Sequence, residues 1–282
     1  MQKIALLTDS AADISVDLMK KYNIQLAPFR IIYSDGSEYE DGINIKPAEI
    51  YRRLKEEMPS TSLPSVQRIE NILCNLEAEG YTHIICITIS SELSGTWNSI
   101  RLALENHPNL TSYVYDSKTL TMAEGALVLS TAKLIEEGKS FEEIIEVLPK
   151  LRTKVHTYFI VDTLEYLKKG GRIGKVAGTI GELLNLKPLI TVGDDGVYHT
   201  YAKIRGKKQA ISKLKEIAKG YLTNKKCNLW VMDGGAQEEG DVLFEAVKDF
   251  DNINEIHRGI IGSSLGIHTG PGLIGFVIEE VE

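Results

Sequence analysis

The chain has 282 residues, 43% hydrophobic and 25% charged, a composition near the globular average that excludes a disordered, collagen-like or disulfide-stapled polypeptide. Thirty-nine acidic against 32 basic side chains leave a formal charge of −7, which argues against nucleic-acid binding and allows at most transient contact with an anionic membrane. Three widely spaced cysteines, Cys74, Cys86 and Cys227, fit reduced thiols in a cytoplasm, and no apolar run approaches the roughly 18 residues of a membrane span.

In chain order, residues 4–7 read as a strand, too short for a signal segment, ending in Thr8-Asp9-Ser10. Ile14, Leu18 and Met19 then fall at helical spacing, with Asp13 or Ser15 as the cap. A strand over 25–33 runs into the turn Ser34-Asp35-Gly36-Ser37. A helix over 47–57 carries Pro47 in its first turn, and residues 60–65 form a hydroxyl-rich loop. A helix over 66–79 precedes the β-branched run 81–89, which has the character of a buried parallel strand. Residues 91–96 lead into a helix at about 97–105. A short strand at 113–115 and helices over 121–137 and 141–152 complete this half.

The second half reads differently. A strand over 156–161, a helical stretch at 176–186 and a hairpin of 189–192 with 197–203 about Asp194-Asp195-Gly196 come first. A helix over 207–221, a strand over 228–232, a helix over 237–249 and strands near 254–261 and 273–281 follow. The expected fold is α/β: an N-terminal parallel-sheet α/β/α domain over 1–153 with an excursion near 28–46, and a C-terminal α+β domain over 154–282 with a largely antiparallel sheet. The strand ends at Thr8-Asp9-Ser10, Ile89-Ser90-Ser91 and Asp116-Ser117 are polar, and ligand crevices of open α/β sheets lie outside such carboxyl ends.

Several motifs are candidates for chemistry. Ser94-Gly95-Thr96 lies between a strand and a helix, where free N–H groups favour an anion; the bland alternative is an ordinary serine cap. Thr61-Ser62 precedes Pro64, which favours an extended chain able to aim Thr61 at the crevice, and with Ser94 it makes a two-hydroxyl clamp. Gly262-Ser263-Ser264-Leu265-Gly266 matches a hydrolase elbow, but no aspartate lies between Ser264 and His268, so the required order of the triad fails. His268 sits among Gly266, Gly270, Gly272 and Gly275, which suggests a tight loop carrying a hydrogen-bonding imidazole into a polar pocket. The six histidines show no metal-ligand spacing, and no phosphate-cradling glycine motif or cofactor signature is present. Lys168, Lys169 and Arg172 form one basic cluster and Lys203, Arg205, Lys207 and Lys208 another, either solvated faces or attractors for an anionic partner.

Taken together, Thr8-Asp9-Ser10, Thr61-Ser62-x-Pro64-Ser65, Ser90-Ser91-x-x-Ser94-Gly95-Thr96, Asp116-Ser117 and Val161-Asp162-Thr163-Leu164 are one ordered set. Leu167-x-x-Gly170-Gly171-Arg172-Ile173, Leu186-Lys187-Pro188 and His268-x-Gly270-Pro271-Gly272 complete it. This set resembles the DegV family of bacterial fatty-acid-binding proteins, which includes the lipid-binding subunits of fatty acid kinase.

The resemblance implies one long-chain fatty acid in a tunnel between the domains. Thr61 and Ser94 would hold the carboxylate, with Ser62, Gly95, Thr96 and His268 in secondary roles. It further implies that Arg172 and Arg205 dock a separate ATP-dependent kinase subunit, and that this chain is a carrier without catalytic residues. Leu63 stands where many relatives carry Gln. Two hydroxyls and a helix terminus suffice for a carboxylate without a buried lysine or arginine. A chain of about fifteen carbons supplies on the order of 12 kcal/mol of gross driving force, reduced considerably by ordering costs. The apolar 176–190 segment is the expected tunnel lining. The alternative is an enzyme acting on a small carboxylated or phosphorylated metabolite in the interdomain cleft.

Overall fold

The computed structural model describes residues 2–182 and 186–281. The order is β1 (Ile4–Asp9), α1 (Val16–Lys21), β2 (Ile24–Ala27), β3 (Arg30–Ile32), β4 (Glu38–Glu40), α2 (Pro47–Arg53), β5 (Ser60–Ser62), α3 (Val66–Ala78), β6 (His83–Thr88), α4 (Thr96–Leu104), β7 (Thr111–Asp116), α5 (Met122–Glu136) and α6 (Phe141–Arg152). It continues with β8 (Val155–Ile160), α7 (Glu165–Lys169), β9 (Lys187–Val192), β10 (Tyr198–Ile204), α8 (Gly206–Leu222), β11 (Lys226–Gly234), α9 (Gln237–Val247), β12 (Ile253–Ile260), α10 (Ser263–Thr269) and β13 (Leu273–Val281).

Three sheets result. The first is fully parallel, in the order β2-β1-β6-β7. The second has the order β10-β9-β8-β13-β11-β12 and is antiparallel except for the β11–β12 pair. The third is a small antiparallel sheet, β4-β3-β5.

The small sheet corrects two sequence expectations. The single strand expected over 25–33 is two strands in different sheets, parted at Pro28, which cannot donate to a ladder. The expected loop over 60–65 begins as a strand: Thr61 pairs with Ile31, so the excursion near 28–46 is closed by β5. Ser15, rather than Asp13, caps α1, accepting from Leu18 N at 3.3 Å. The 176–186 stretch is a 3-10 helix over Gly174–Glu182, with 183–185 outside the described residues.

Helix α5 joins the two large sheets. It is apolar around most of its circumference, as a helix covered on several sides must be, with Met122, Ala123, Ala126, Leu127 and Val128 buried. Its side chains belong to one continuous core with Leu6, Ile85 and Ile87 of the first sheet and Phe159, Trp230 and Val277 of the second. Gly125 lets it close on the preceding chain, since a Cβ there would lie 2.5 Å from the Ala12 carbonyl. No described helix is long and apolar enough to cross a membrane.

Candidate functional site

The small sheet and helix α10 build the polar end of the site. Ile31, Tyr33, Ile45, Ile50, Tyr51 and Leu54 pack on Ile267 of α10, and Tyr51 donates its hydroxyl to the Ile261 carbonyl at 3.2 Å. The Asp41 carboxylate fixes the start of α10, accepting from Ser263 N at 3.2 Å and Ser264 N at 3.1 Å. Strand alternation then separates the two hydroxyls of β5. Thr61 meets His268 Nε2 at 2.8 Å, whereas Ser62 accepts from Arg30 Nη2 at 3.0 Å and lies off the site.

Thr61, Ser94, Arg172, Ser264 and His268 line one pocket together with Phe29, Ile89, Leu93, Tyr198 and Leu265. His268 therefore reaches a polar pocket as expected, but from a helix and not from a loop; Gly270 ends that helix with positive φ, and Gly270 and Gly272 admit the close approach of Tyr166 and Asp162. Ser94 is held in a tight turn, its hydroxyl 2.8 Å from Thr96 Oγ1 and accepting from Thr96 N at 3.3 Å. Thr96 is buried and braces that turn. Gly95 is the residue before α4, and a Cβ there would sit 3.6 Å from Leu63 Cδ1. Leu63 thus packs on the turn, while its carbonyl accepts from Arg30 Nε at 3.1 Å.

The electrostatics of His268 follow from its burial. Desolvation, aided by the positive Arg172, lowers its pKa to about 4, so the imidazole is neutral near pH 7. Its Nδ1 is buried without a hydrogen-bond partner and faces Gly170, where a Cβ would come within 2.1 Å. A buried N–H without an acceptor is costlier than an idle lone pair, so we assign the proton to Nε2. That N–H donates to Thr61 Oγ1, leaving the threonine's own hydrogen for something else in the pocket.

Arg172 lines the pocket, with Nε donating to Leu93 O at 3.2 Å and Nη1 to Gly170 O at 2.6 Å. A guanidinium thus joins the two hydroxyls at the pocket wall. Arg205 is exposed and directly precedes α8. The clusters around them are partly neutralised: Lys169 pairs with Glu165, and Lys207 with Asp162 and Glu239.

A second, apolar cavity is walled by strands of the second sheet, by α10 and by the chain just ahead of α5. Leu120 and Thr121 face it from one side, and Phe159, Met232, Leu273 and Val277 from the other. Tyr198 and Leu265 are walls of both cavities, so the polar pocket and the apolar one are neighbours. Much of the 176–190 segment expected to line the tunnel lies outside the residues whose side chains are described; among the described residues the apolar wall comes mainly from strands of the second sheet and from α10.

The polar strand ends serve mainly as braces. Asp9 accepts from Ala11 N and Ile89 N, Ser10 from Phe29 N, and Ser91 donates to Asp116. Ser90 donates to Gly196 O at 2.8 Å, tying the first sheet to the β9–β10 turn.

The DegV-family model, described as "Uncharacterised protein, DegV family", matches residues 3–281. The chain belongs to the DegV family. A DegV domain-containing protein of Clostridium acetobutylicum is 51% identical over 278 residues, covering 99% of each chain. Among solved structures, a DegV family protein of Thermus thermophilus, described by its fatty acid binding, superposes with a TM-score of 0.91 at 30% identity. That match covers 99% of this chain and 100% of that one. A stearic-acid-binding protein of Eubacterium ventriosum gives a TM-score of 0.86 at 30% identity over 99% and 98%. These DegV neighbours are fatty-acid-binding proteins, and this chain has their fold.

Proposed function

We propose that the protein binds a long-chain fatty acid, with the acyl chain in the apolar cavity and the carboxylate in the pocket of Thr61, Ser94, Arg172 and His268. The observation that carries this reading is the pair of neighbouring cavities that share Tyr198 and Leu265 as walls, one lined by polar side chains and the other apolar. Thr61 and Ser94 donate hydroxyl hydrogens to the carboxylate, and the Arg172 guanidinium offsets its charge. Apolar transfer of the tail supplies most of the affinity, and the hydroxyls set position. A small polar metabolite would leave the apolar cavity unmatched, which disfavours an enzyme of that type.

In this reading the chain acts as a carrier. It presents the carboxylate to a separate ATP-dependent kinase subunit for acyl phosphate formation, in keeping with its likeness to the fatty-acid-binding DegV proteins. Arg205, exposed beside α8, contributes to that docking surface.

One set of loading assays tests both halves. Mass spectrometry of the purified protein is expected to find a long-chain fatty acid, and Thr61→Ala with Ser94→Ala to retain it about tenfold less well or worse. Arg205→Ala is expected to bind fatty acid normally and to slow acyl phosphate formation with a cognate kinase. A lipid-free wild type that refuses added fatty acid refutes the binding reading. Unchanged turnover of the Arg205 variant removes the docking role.

A further inference from the structure

Ser264 lies in the Gly-x-Ser-x-Gly stretch whose hydrolase reading fails. It is 4% exposed, and its Oγ is buried with no hydrogen-bond partner. Such an atom calls for an explanation, because a buried hydroxyl without a partner keeps the full cost of its desolvation.

Its position in α10 explains why no internal partner is available. A serine within a helix normally returns its hydroxyl to the carbonyl four residues earlier, as Thr269 does here to Leu265 O at 3.1 Å. Ser264 is the second residue of α10, and four residues before it the chain is still in β12. Its backbone N–H is bound by Asp41 at 3.1 Å, which fixes the residue in place. Ser264 and His268 are four apart and so share one helix face, and both line the pocket that holds Thr61, Ser94 and Arg172.

We propose that Ser264 is a ligand-contacting residue, its hydroxyl donating a further hydrogen bond to the acid head group. This rests on the fatty-acid reading and extends it: the head group is gripped from the α10 side by Ser264 as well as from the β5 and α4 sides by Thr61 and Ser94. A bound carboxylate satisfies the orphaned hydroxyl, and a ligand without acceptor oxygens leaves it unsatisfied. Ser264 thereby favours free acids over hydrocarbons of the same length.

The test is equilibrium binding to delipidated full-length protein, wild type against Ser264→Ala, with palmitic acid and its hydrocarbon counterpart hexadecane as probes. The expected result is a 5- to 20-fold loss of palmitate affinity and a hexadecane affinity that stays level or rises. Carboxyl-labelled palmitate is expected to show a shifted ¹³C carboxyl resonance in the variant. Palmitate affinity and carboxyl resonance unchanged from wild type would overturn the assignment while leaving the fatty-acid reading intact. Equal losses for palmitate and hexadecane would also overturn it, marking Ser264 as a packing residue. Wild type that binds no palmitate at all brings down both readings, and so is distinct from either.

Discussion

The proton inventory of the pocket turns on Gly170. Its φ of −75° is open to any residue, so backbone freedom does not demand glycine; the His268 ring does, since a Cβ would overlap Nδ1 at 2.1 Å. Gly170→Ala is expected to push the imidazole off Thr61, lower stability by about 1–3 kcal/mol and weaken fatty acid binding severalfold. Imidazole ¹⁵N shifts provide the check, with a change of the His268 pattern on substitution. An unaltered pattern would mean that the glycine is not what positions the ring. Thr61, Ser94 and His268 were legible as site candidates because hydroxyls beside an extended chain and a helix start suit an anion. Ser264 was not, because its motif pointed first to a nucleophile and its burial is a tertiary fact. The place of Arg172 in the pocket wall was hidden for a similar reason: a basic cluster in sequence does not say which member turns inward.

Among the elements, the long periodic ones were readable. Strands such as β6 and helices such as α3 and α6 carry their own burial pattern, and α6 also has the capping box of Ser140 and Glu143. The short ones were not: β5 has three residues and owes its existence to pairing with β3, and α10 is stabilised by Asp41 from a distant strand end. Their contacts also make the α10 junction sensitive to pH. Asp13 accepts from Gly262 N at 2.9 Å and from Thr121 at 2.6 Å, while burial raises its pKa to about 8; Asp9 is raised to about 7 by burial as well. Unfolded, both ionise near pH 4. The native state therefore binds more protons between about pH 4 and 8, and their contribution to stability falls as pH rises through that window. His268, depressed to about 4, acts in the opposite sense between about pH 4 and 6.5, where stability is lost as pH falls. Denaturant midpoints are expected to drop from pH 6.5 to 8.5 and to flatten in Asp13→Asn. A slope identical in the variant would show that Asp13 does not carry it.

For the whole molecule, the alternation of strand and helix made the two sheets legible, but not the way they share a core. Helix α5 read as one helix among several; the burial of nine of its fifteen residues follows from having a sheet on either side. That shared core places Leu120 and Thr121, just ahead of α5, on the same apolar cavity as Phe159, Met232 and Val277 of the second sheet. The most direct measurement is a crystal structure with a fatty acid brominated at its terminal carbon, located by anomalous scattering. The account predicts bromine in the cavity between Phe159, Met232 and Val277, with carboxylate density beside Thr61 and Ser94. Bromine at the Thr61 end, or no bromine between the two sheets, would contradict it.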